Sequence, residues 1–214
     1  MKVLIACEES QIVCKAFRER GHEAYSNDII ECSGGHPEWH LHMDCFEAIA
    51  LGEWDLMIAH PPCTYLSYAG NDYLNIEKYG AKAIERHQLR EEALNFFLAL
   101  YNTNIPRICV ENPRGYPMKF IKQSQMIHPY YFGDADKKLT CLWLKNLPLL
   151  TWSKEDTLFY DRTSSDEPQP IYIDKINGTK RYITDAIAGT GKDAKRLRSK
   201  TFPGIARAMA DQWG

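Results

Sequence analysis

The sequence predicts an α/β protein built on a doubly wound, mostly parallel sheet. Two observations support this fold class. Short apolar runs without polar alternation, at residues 3–7 and 55–59, are typical of strands that are covered on both faces. These runs alternate along the chain with helical patterns, the longest of which spans residues 81–100. The 214 residues are enough for one sizeable domain with a hydrophobic core of its own.

The remaining elements follow in chain order. We expect a helix after the first strand, capped by Ser10 and ended by Gly21. A second strand at 23–29 comes next, and Asp44 precedes a short helix at 45–51. The polar, tyrosine-rich residues 67–80 are predicted to form a mobile loop. Further strands are expected at 107–111 and 141–144, a surface loop at 163–170 and a closing helix at 205–213.

Composition and cysteine usage restrict the class of protein. Hydrophobic residues make up 44% of the chain and charged residues 25%, which is ordinary for a soluble globular domain. No apolar run approaches the roughly 20 residues that cross a bilayer, and the N-terminal run is too short for a signal peptide, so we expect no membrane partner. The seven cysteines show no CxxC spacing, which favours free thiols in a reducing cytosol over a disulfide framework.

Charge is distributed unevenly along the chain. Residues 1–174 carry 17 Lys and Arg against 25 Asp and Glu, a net charge of −8. Residues 175–214 carry 9 against 3, a net charge of +6, and the densest stretch is Lys195-Arg196-Leu197-Arg198-Ser199-Lys200. A basic segment on an acidic body favours a polyanionic partner. A solvated surface run explains the same charges equally well.

The tetrapeptide His60-Pro61-Pro62-Cys63 directly follows the buried run at 55–59. Prolines cannot extend a sheet ladder or a helix, so they predict a stiff, extended exit from the strand. A thiol on such an exit lies at the sheet edge where open α/β sheets bind ligands. We therefore predict that Cys63 is an accessible nucleophile.

Acidic residues follow successive predicted strands. Asp28 stands where a carboxylate can bind ribose hydroxyls, and Asp44 stands where it can accept a hydrogen bond from an adenine amine. Each acid alone is more simply explained as a surface or capping residue, but their order along one edge favours a nucleoside cofactor. Glu111-Asn112 ends another buried strand, and burial there predicts a raised pKa for Glu111 that suits proton donation. A strand-end salt bridge is the alternative for Glu111.

Two other kinds of site are disfavoured by the sequence. The first turn, Ala6-Cys7-Glu8-Glu9-Ser10, has no GxGxxG pattern, which argues against a standard dinucleotide pyrophosphate site. A zinc site could be sought among Cys32, Cys45 and the histidines at 36, 40 and 42, but the His-x3-His-x-His spacing fits no common closed site. We predict no metal.

Taken in order, the motifs resemble those of the DNA cytosine-5 methyltransferases, including small phage- and prophage-encoded members. Pro61-Pro62-Cys63 resembles the proline-cysteine nucleophile motif of that family, and Glu111-Asn112 resembles its Glu-Asn motif. Residues 3–7 resemble the cofactor-binding first motif without its two glycines, 24–28 the strand whose acid holds the ribose, 43–44 the third motif and 201–213 the last helical motif. The resemblance implies the Rossmann-like fold of S-adenosylmethionine-dependent methyltransferases.

The resemblance also implies three groups of site residues. Catalytic roles would fall to Cys63, Glu111, Asn112 and Lys138, the last of which stands where the family has the first Arg of its Gln-x-Arg-x-Arg motif. S-adenosylmethionine would be bound by Ala6, Cys7, Glu8, Ser10, Asp28, Ile29, Asp44, Cys45, His60 and Pro61. DNA would be contacted by Ser67, Tyr68, Arg114, Lys137, Lys195, Arg196, Arg198 and Lys200.

The implied reaction is methyl transfer from S-adenosylmethionine to C5 of cytosine in DNA. Cys63 would attack C6 of a base flipped out of the duplex, and Glu111 would protonate or hydrogen-bond N3 and the amino group. Residues 1–144 would form the methyltransferase core, 145–200 a short basic insertion in place of a target-recognition domain, and 201–214 a C-terminal helix that returns to the core.

Three other functions remain open. The short insertion suits methylation of a free cytosine nucleotide. His60-Pro61-Pro62 has the shape of the Asp/Asn/Ser-Pro-Pro-aromatic motif of amino-methylating enzymes, although Cys63 replaces the aromatic residue. The glycine-free first turn, and Thr140 where the family has its second Arg, suit a non-catalytic protein that binds nucleic acid or a partner. A homodimer could supply DNA-contact surface that one short chain lacks, and we expect the protein in the cytoplasm of a bacterium or of an infected host cell.

Overall fold

A seven-stranded sheet forms the centre of the computed structural model, which describes residues 1–155, 163–175, 178–186 and 197–214. Its strands are β1 (Lys2–Ala6), β2 (Glu23–Asp28), β3 (His40–His42), β4 (Leu56–Ala59), β5 (Arg107–Pro113), β6 (Gln125–Ile127) and β7 (Thr140–Lys145). The strand order across the sheet is β3-β2-β1-β4-β5-β7-β6. The chain therefore starts at the middle of the sheet, winds outward to one edge and then returns to build the other.

Strands β1 to β5 pair in parallel, and β7 runs antiparallel between β5 and β6. This topology confirms the predicted fold class, a doubly wound and mostly parallel α/β sheet of the Rossmann-like type. The predicted strand at 141–144 lies within β7, while the three-residue strand β6 was not predicted from the sequence. Parallel strands of this kind must be covered on both faces, which explains why β1 and β4 are uniformly apolar.

Helices cover both faces of the sheet. The helices whose bounds the structure describes are α1 (Ile12–Glu19), α2 (Cys45–Ala50), α3 (Ile76–Tyr79), α4 (Ala81–Tyr101), α5 (Ile183–Ala186) and α6 (Pro203–Trp213). Because side chains alternate along a strand, Ile5 and Ile58 pack with α1 and α6, while Leu4 and Met57 pack with α2 and α4. The two hydrophobic clusters hold the sheet rigid and leave its carboxyl edge to carry function.

Two sequence-based expectations about individual segments are corrected or refined. Residues 67–80 are not an irregular loop, because a 3₁₀ helix at Tyr68–Leu74 leads into α3. The closing helix begins at Pro203, two residues before the predicted start, since proline is well tolerated in a first helical turn. Residues 163–170 form no regular element, as predicted. Beyond them, a small hairpin pairs Tyr172–Ile173 with Lys180–Arg181.

In the ranges that the structure describes, none of the helices has both the length and the hydropathy needed to cross a bilayer.

Candidate active site

The sheet register brings the predicted site residues to one edge. Ala6 of β1 is aligned with Asn27 of β2 and with Ala59 of β4, and Ala59 is aligned with Val110 of β5. The next residue on each strand therefore lies at the carboxyl end of the sheet. Those residues are Cys7, Asp28, His60 and Glu111. Side chains separated by up to a hundred positions in sequence thus meet in one row, at the place where open α/β sheets bind ligands.

The exit from β4 is rigid and presents Cys63 to solvent. The His60 amide still donates to the Ala6 carbonyl at 2.9 Å, so the strand is held up to its last residue. Pro61 is buried, and Asn112 donates its side-chain amide to the Pro61 carbonyl at 2.7 Å. Cys63 is exposed, and all of the other six cysteines, which also lie in the described ranges, are buried or half-buried. The predicted accessibility of Cys63 is confirmed, and Asn112 is a positioning residue for its loop.

The loop after Cys63 is tied to the loop after β5. The Tyr116 amide donates to the Leu66 carbonyl at 2.7 Å, and Ser67 forms an isolated bridge with Gly115. A Cβ atom at Gly115 would lie 2.2 Å from the Leu66 carbonyl oxygen, so this close approach requires glycine. The Cys63 loop and the loop that carries Glu111-Asn112 are therefore one connected structure.

Two arginines of α4 hold the same loop from the other side. Arg86 donates to the Thr64 carbonyl at 2.9 Å, and Arg90 donates to the Tyr65 carbonyl at 3.1 Å. Arg90 is buried, and its guanidinium lies 4.6 Å from the centre of the Tyr116 ring. Sequence reasoning missed both residues. The available signal was the position of Arg90, which lies on the same helix face as the apolar residues Leu94 and Phe97.

His60 and Glu111 form a buried pair at the centre of the site. His60 Nδ1 lies 3.0 Å from Glu111 Oε2, and the side chains are 8% and 16% exposed. Burial raises the pKa of Glu111, but the hydrogen bond from His60 and the charges of His60 and Lys138 outweigh burial and leave it below its usual range. The predicted raised pKa was therefore wrong, because the compensating charges come from residues distant in sequence.

The environment of Cys63 favours the neutral thiol. Burial of the sulfur raises the Cys63 pKa, the negative charge of Glu111 raises it further, and the charges of Lys138 and Arg198 lower it. Lys138 donates to the Arg198 carbonyl at 2.8 Å, and it lines a small cavity together with Glu111, Thr140 and the residues that lead into α6. The predicted catalytic residues Cys63, Glu111, Asn112 and Lys138 are thus brought together.

In the first turn, the Glu8 side chain engages the backbone amides at the start of α1. Glu8 accepts hydrogen bonds from the amides of Val13 and Cys14 at 2.7 and 3.2 Å, at the N-terminus of α1. The predicted cap Ser10 does not cap the helix, since the N-cap position is Gln11, and Ser10 instead contacts Glu8 at 3.5 Å. Burial raises the pKa of Glu8, although His60 and the two amides lower it. Glu8 occupies the position where a helix N-terminus would otherwise bind an anion.

The turn reaches its shape without glycine. Cys7 has a φ of 59° and Gln11 also has a φ of 59°, a left-handed conformation that non-glycine residues adopt at a cost of about 1–2 kcal/mol. Gln11 offsets this cost because its buried side chain donates to the His36 carbonyl at 2.7 Å. Ala6 is buried at the end of β1, below the turn.

The predicted nucleoside end is more open. Asp28 is half-buried, and burial raises the pKa of its carboxyl group although amides of the next two residues lower it. Ile29 is 72% exposed beside it, unusually open for a large apolar side chain. Asp44 is exposed and caps α2 by accepting from the Phe46 amide at 2.8 Å. Cys45 is buried, and its hydrogen bond with Cys7 raises the Cys7 pKa and lowers its own.

The histidines considered for zinc have other partners. His40 Nδ1 lies 2.9 Å from Ser26 Oγ, and its Nε2 lies 2.9 Å from the Ile30 carbonyl. His42 Nε2 lies 3.0 Å from the Ile29 carbonyl. These contacts order the segment that follows Asp28 around the exposed Ile29.

The predicted DNA-contact residues fall into three sets. Ser67, Tyr68 and Arg114 lie together, because the Tyr68 amide donates to the Arg114 carbonyl at 3.2 Å. Arg198 and Lys200 lie near Cys63 and Glu111, since Arg198 lowers the Cys63 pKa and Lys200 lines the cavity with Glu111. Lys137 is ion-paired with Glu167 and so has a carboxylate partner. Lys195 and Arg196 lie outside the described residues.

Comparisons with known proteins give a distant similarity to solved structures. No protein-family model and no curated protein matches the chain. Among solved structures, the chain is similar to a prophage-encoded E. coli protein provisionally assigned as a DNA modification methyltransferase, with 12% identity and a TM-score of 0.45. The match covers 81% of this chain and 56% of that one, so the chain spans little more than half of its length. A similarity of this size carries no argument about function, and the fold assignment depends on strand order and register.

Proposed function

We propose that this chain transfers a methyl group from S-adenosylmethionine to C5 of cytosine in DNA, with Cys63 as the nucleophile. One observation carries the proposal. The exposed residue Cys63 lies on a loop that Asn112 and Gly115 join to the strand end bearing half-buried Glu111. A soft nucleophile and a carboxylate fixed relative to each other are what addition to a pyrimidine ring requires.

The chemistry of the base explains why both groups are needed. Cytosine C5 is a weak nucleophile until a thiolate adds at C6 and turns the ring into an enamine. Cys63 would form the bond to C6, and Glu111 would interact with N3 and the amino group as electrons move toward them. The base must leave the duplex to reach these groups. The position of Cys63 at the protein surface is compatible with such a base.

The residues of the sheet edge fit the sugar and base of S-adenosylmethionine better than its amino-acid end. Asp28, half-buried at the end of β2, is suited to ribose hydroxyls, and the open face of Ile29 is suited to an adenine ring. At the first turn, Glu8 already accepts from the α1 amides, so a ligand carboxylate could not use them. Bound there, the cofactor supplies a methyl group on a sulfonium, an electrophile for C5.

DNA contact would come from residues around the Cys63 loop. Ser67 and Tyr68 follow Cys63 on its loop, where Tyr68 contacts Arg114, and Arg198 and Lys200 lie near Cys63 and Glu111. Cations near the proposed nucleophile suit a phosphate backbone that flanks a flipped base. Lys195 and Arg196 extend the same basic sequence.

Position 63 favours attack on the ring over methylation of the exocyclic amine. Amino methylation would use an aromatic side chain at that position to stack on the base, and Cys63 stands there instead. His60 occupies the first position of the same motif, and its Nδ1 is engaged by Glu111 rather than directed to a substrate amine. Both features support C5 chemistry.

Methyl transfer from labelled S-adenosylmethionine to duplex DNA tests the proposal. The wild type should label cytosine C5, and Cys63→Ala should reduce labelling by at least about 10³-fold, as loss of a nucleophile does. Cys32→Ala, a half-buried cysteine in a loop, is the matched control and should keep full activity. Normal labelling by Cys63→Ala would reject the nucleophile. Labelling of a free cytosine nucleotide but not of DNA would identify the smaller substrate, and labelling of the amino group would identify amino methylation.

A further inference from the structure

The ionised state of Glu111 leaves the proposed reaction without a source for one proton. When a thiolate adds to C6 of cytosine, the electron pair of the C5–C6 double bond moves through C4 to N3, and N3 takes up a proton. The Glu111 carboxylate can accept a proton but, with its pKa below the usual range, has none to give at neutral pH. Another group must supply the proton through it.

His60 is the group in contact with Glu111. Its Nδ1 lies 3.0 Å from Glu111 Oε2, which is within reach for direct proton transfer. The imidazole side chain is more than nine-tenths buried, and its Nε2 finds no hydrogen-bond partner among the residues that the structure describes. The ring is therefore engaged at one nitrogen alone, on the side of Glu111.

Charged groups surround His60. Glu8 from the first turn and Glu111 from β5 place two carboxylates near the ring, and Lys138 from the segment before β7 places one ammonium near Glu111. The contact of 3.0 Å between Nδ1 and Glu111 gives a proton on the ring a direct carboxylate acceptor. A proton held on Nδ1 is then shared with the carboxylate that faces the substrate.

We propose that His60 supplies, through Glu111, the proton that the cytosine ring takes up at N3 when Cys63 adds at C6. The inference rests on the proposed function. The Cys63 Sγ–H bond breaks and its proton leaves to solvent, and the Sγ–C6 bond forms as the C5–C6 double bond breaks. The proton on His60 Nδ1 passes to Glu111 Oε2 and from there to N3. C5 would then take the methyl group as the S–CH₃ bond of the cofactor breaks. When the C5 hydrogen leaves to solvent and the Sγ–C6 bond breaks, the C5–C6 double bond forms again, the N3 proton returns by the same route, and the Cys63 thiolate takes a proton from solvent.

His60 is in this account a positioning residue with a proton to exchange, since Glu111 and not His60 touches the base. A purely structural role would require only a hydrogen-bond donor to Glu111. Asparagine places an amide donor close to the position of Nδ1 and cannot titrate, so His60→Asn separates the two roles. His22→Asn is the matched control, because His22 lies at the opposite end of the sheet, where β2 begins.

Exchange of the C5 hydrogen of cytosine for solvent deuterium reports reversible addition of Cys63 and needs no methyl group. Between pH 5 and 9, the wild-type exchange rate should first rise and then level off, because loss of the proton on His60 offsets the growing thiolate fraction of Cys63. His60→Asn should lower the rate near neutral pH about 10²-fold, and its rate should keep rising up to pH 9. His22→Asn should keep the wild-type profile.

The outcomes distinguish failure of this inference from failure of the proposed function. An unchanged profile in His60→Asn, or a wild-type rate that keeps rising up to pH 9, would overturn the inference and leave the cysteine chemistry standing. The second criterion uses the wild type alone, so it applies even if the variant fails to fold. Absence of both exchange and methyl transfer in the wild type would overturn both.

Discussion

Two carboxylates at the carboxyl edge of the sheet, the buried Glu8 and the half-buried Glu111, have opposite pKa shifts. Burial raises the pKa of Glu8, and the charge of His60 and the amides of α1 offset only part of that increase. Glu111 faces His60 and Lys138, and these charges overcome burial and lower its pKa. The sequence shows two acids that follow two strands, but their neighbours make the first a helix cap and the second a site group. At one sheet edge, Glu8 therefore supports the fold and Glu111 belongs to the candidate site.

When each acid is replaced by its amide, the larger loss of activity is expected at Glu111. Glu111→Gln keeps the shape of the side chain but cannot relay a proton, so methyl transfer should fall by about 10²- to 10⁴-fold. The same change removes a negative charge that raises the Cys63 pKa, so Cys63 should react faster with iodoacetamide. Opposite changes in methylation rate and alkylation rate are the expected result.

Glu8→Gln is the control for that experiment and should leave the alkylation rate of Cys63 as it is, because the charges that shift the Cys63 pKa are those of Glu111, Lys138 and Arg198. A slower alkylation in Glu111→Gln would contradict the placement of Glu111 beside the thiol.

Gly115→Val should disturb the Glu111 side of the edge without touching the first turn. The added side chain meets the backbone of Leu66, which cannot rotate away, so we expect a loss of about 1–3 kcal/mol in the free energy of unfolding. Displacement of the Cys63 loop should also slow methyl transfer by about 10²-fold. Urea denaturation and the methylation assay measure the two effects.

Gly52→Ala is the matched control, because a Cβ there meets only the movable end of the Lys2 side chain. Equal stability and equal activity of the two glycine variants would show that the Leu66–Gly115 approach is unimportant.

We expect the smallest effect from Glu8→Gln, which should change the free energy of unfolding. The pH dependence of that change tests the pKa shift of Glu8. Burial raises the folded-state pKa of Glu8. The contribution of Glu8 to the free energy of unfolding is therefore fully present below its ordinary pKa of 4.5 and is lost as pH rises through the folded-state pKa. The variant should be less stable than the wild type by about 1 kcal/mol near pH 4, and the gap should narrow toward neutral pH.

For Glu111→Gln the sign is reversed, because a lowered pKa contributes stability above the ordinary value that is lost as pH falls. The exposed Glu23→Gln is the control for both series. Gaps that change in the same direction with pH in the Glu8 and Glu111 variants would contradict the contrast between the two acids. Denaturant unfolding at a series of pH values provides the measurement.

The sequence was sufficient for features that depend on local pattern. The strands β1, β4 and β5 and the helix α4 were predicted within one or two residues, because continuous apolar runs and a long helical period are local signals. The exposure of Cys63 was also predictable, since two prolines after a buried strand leave few conformations for this residue. The alignment of strand ends at one edge followed from the parallel topology.

What the sequence could not supply depends on contacts between distant positions. The sign of the Glu111 pKa shift comes from His60 and Lys138, 51 positions earlier and 27 positions later, and no local pattern encodes that balance. The cap of α1 is Glu8, ahead of the serine that the usual capping preference selects. Strand β6 has three residues, too few for a periodic signal.

Covalent trapping tests the central claim most directly. Duplex DNA that carries 5-fluorocytosine, incubated with the protein and S-adenosylmethionine, should accumulate a stable adduct, because fluorine at C5 cannot leave as a proton does. Mass spectrometry of the digested complex should place the modified base on the peptide that contains Cys63, and Cys32→Ala should form the same adduct. Absence of an adduct from a folded wild type that methylates cytosine, or an adduct on another cysteine, would contradict the assignment of Cys63 as the nucleophile.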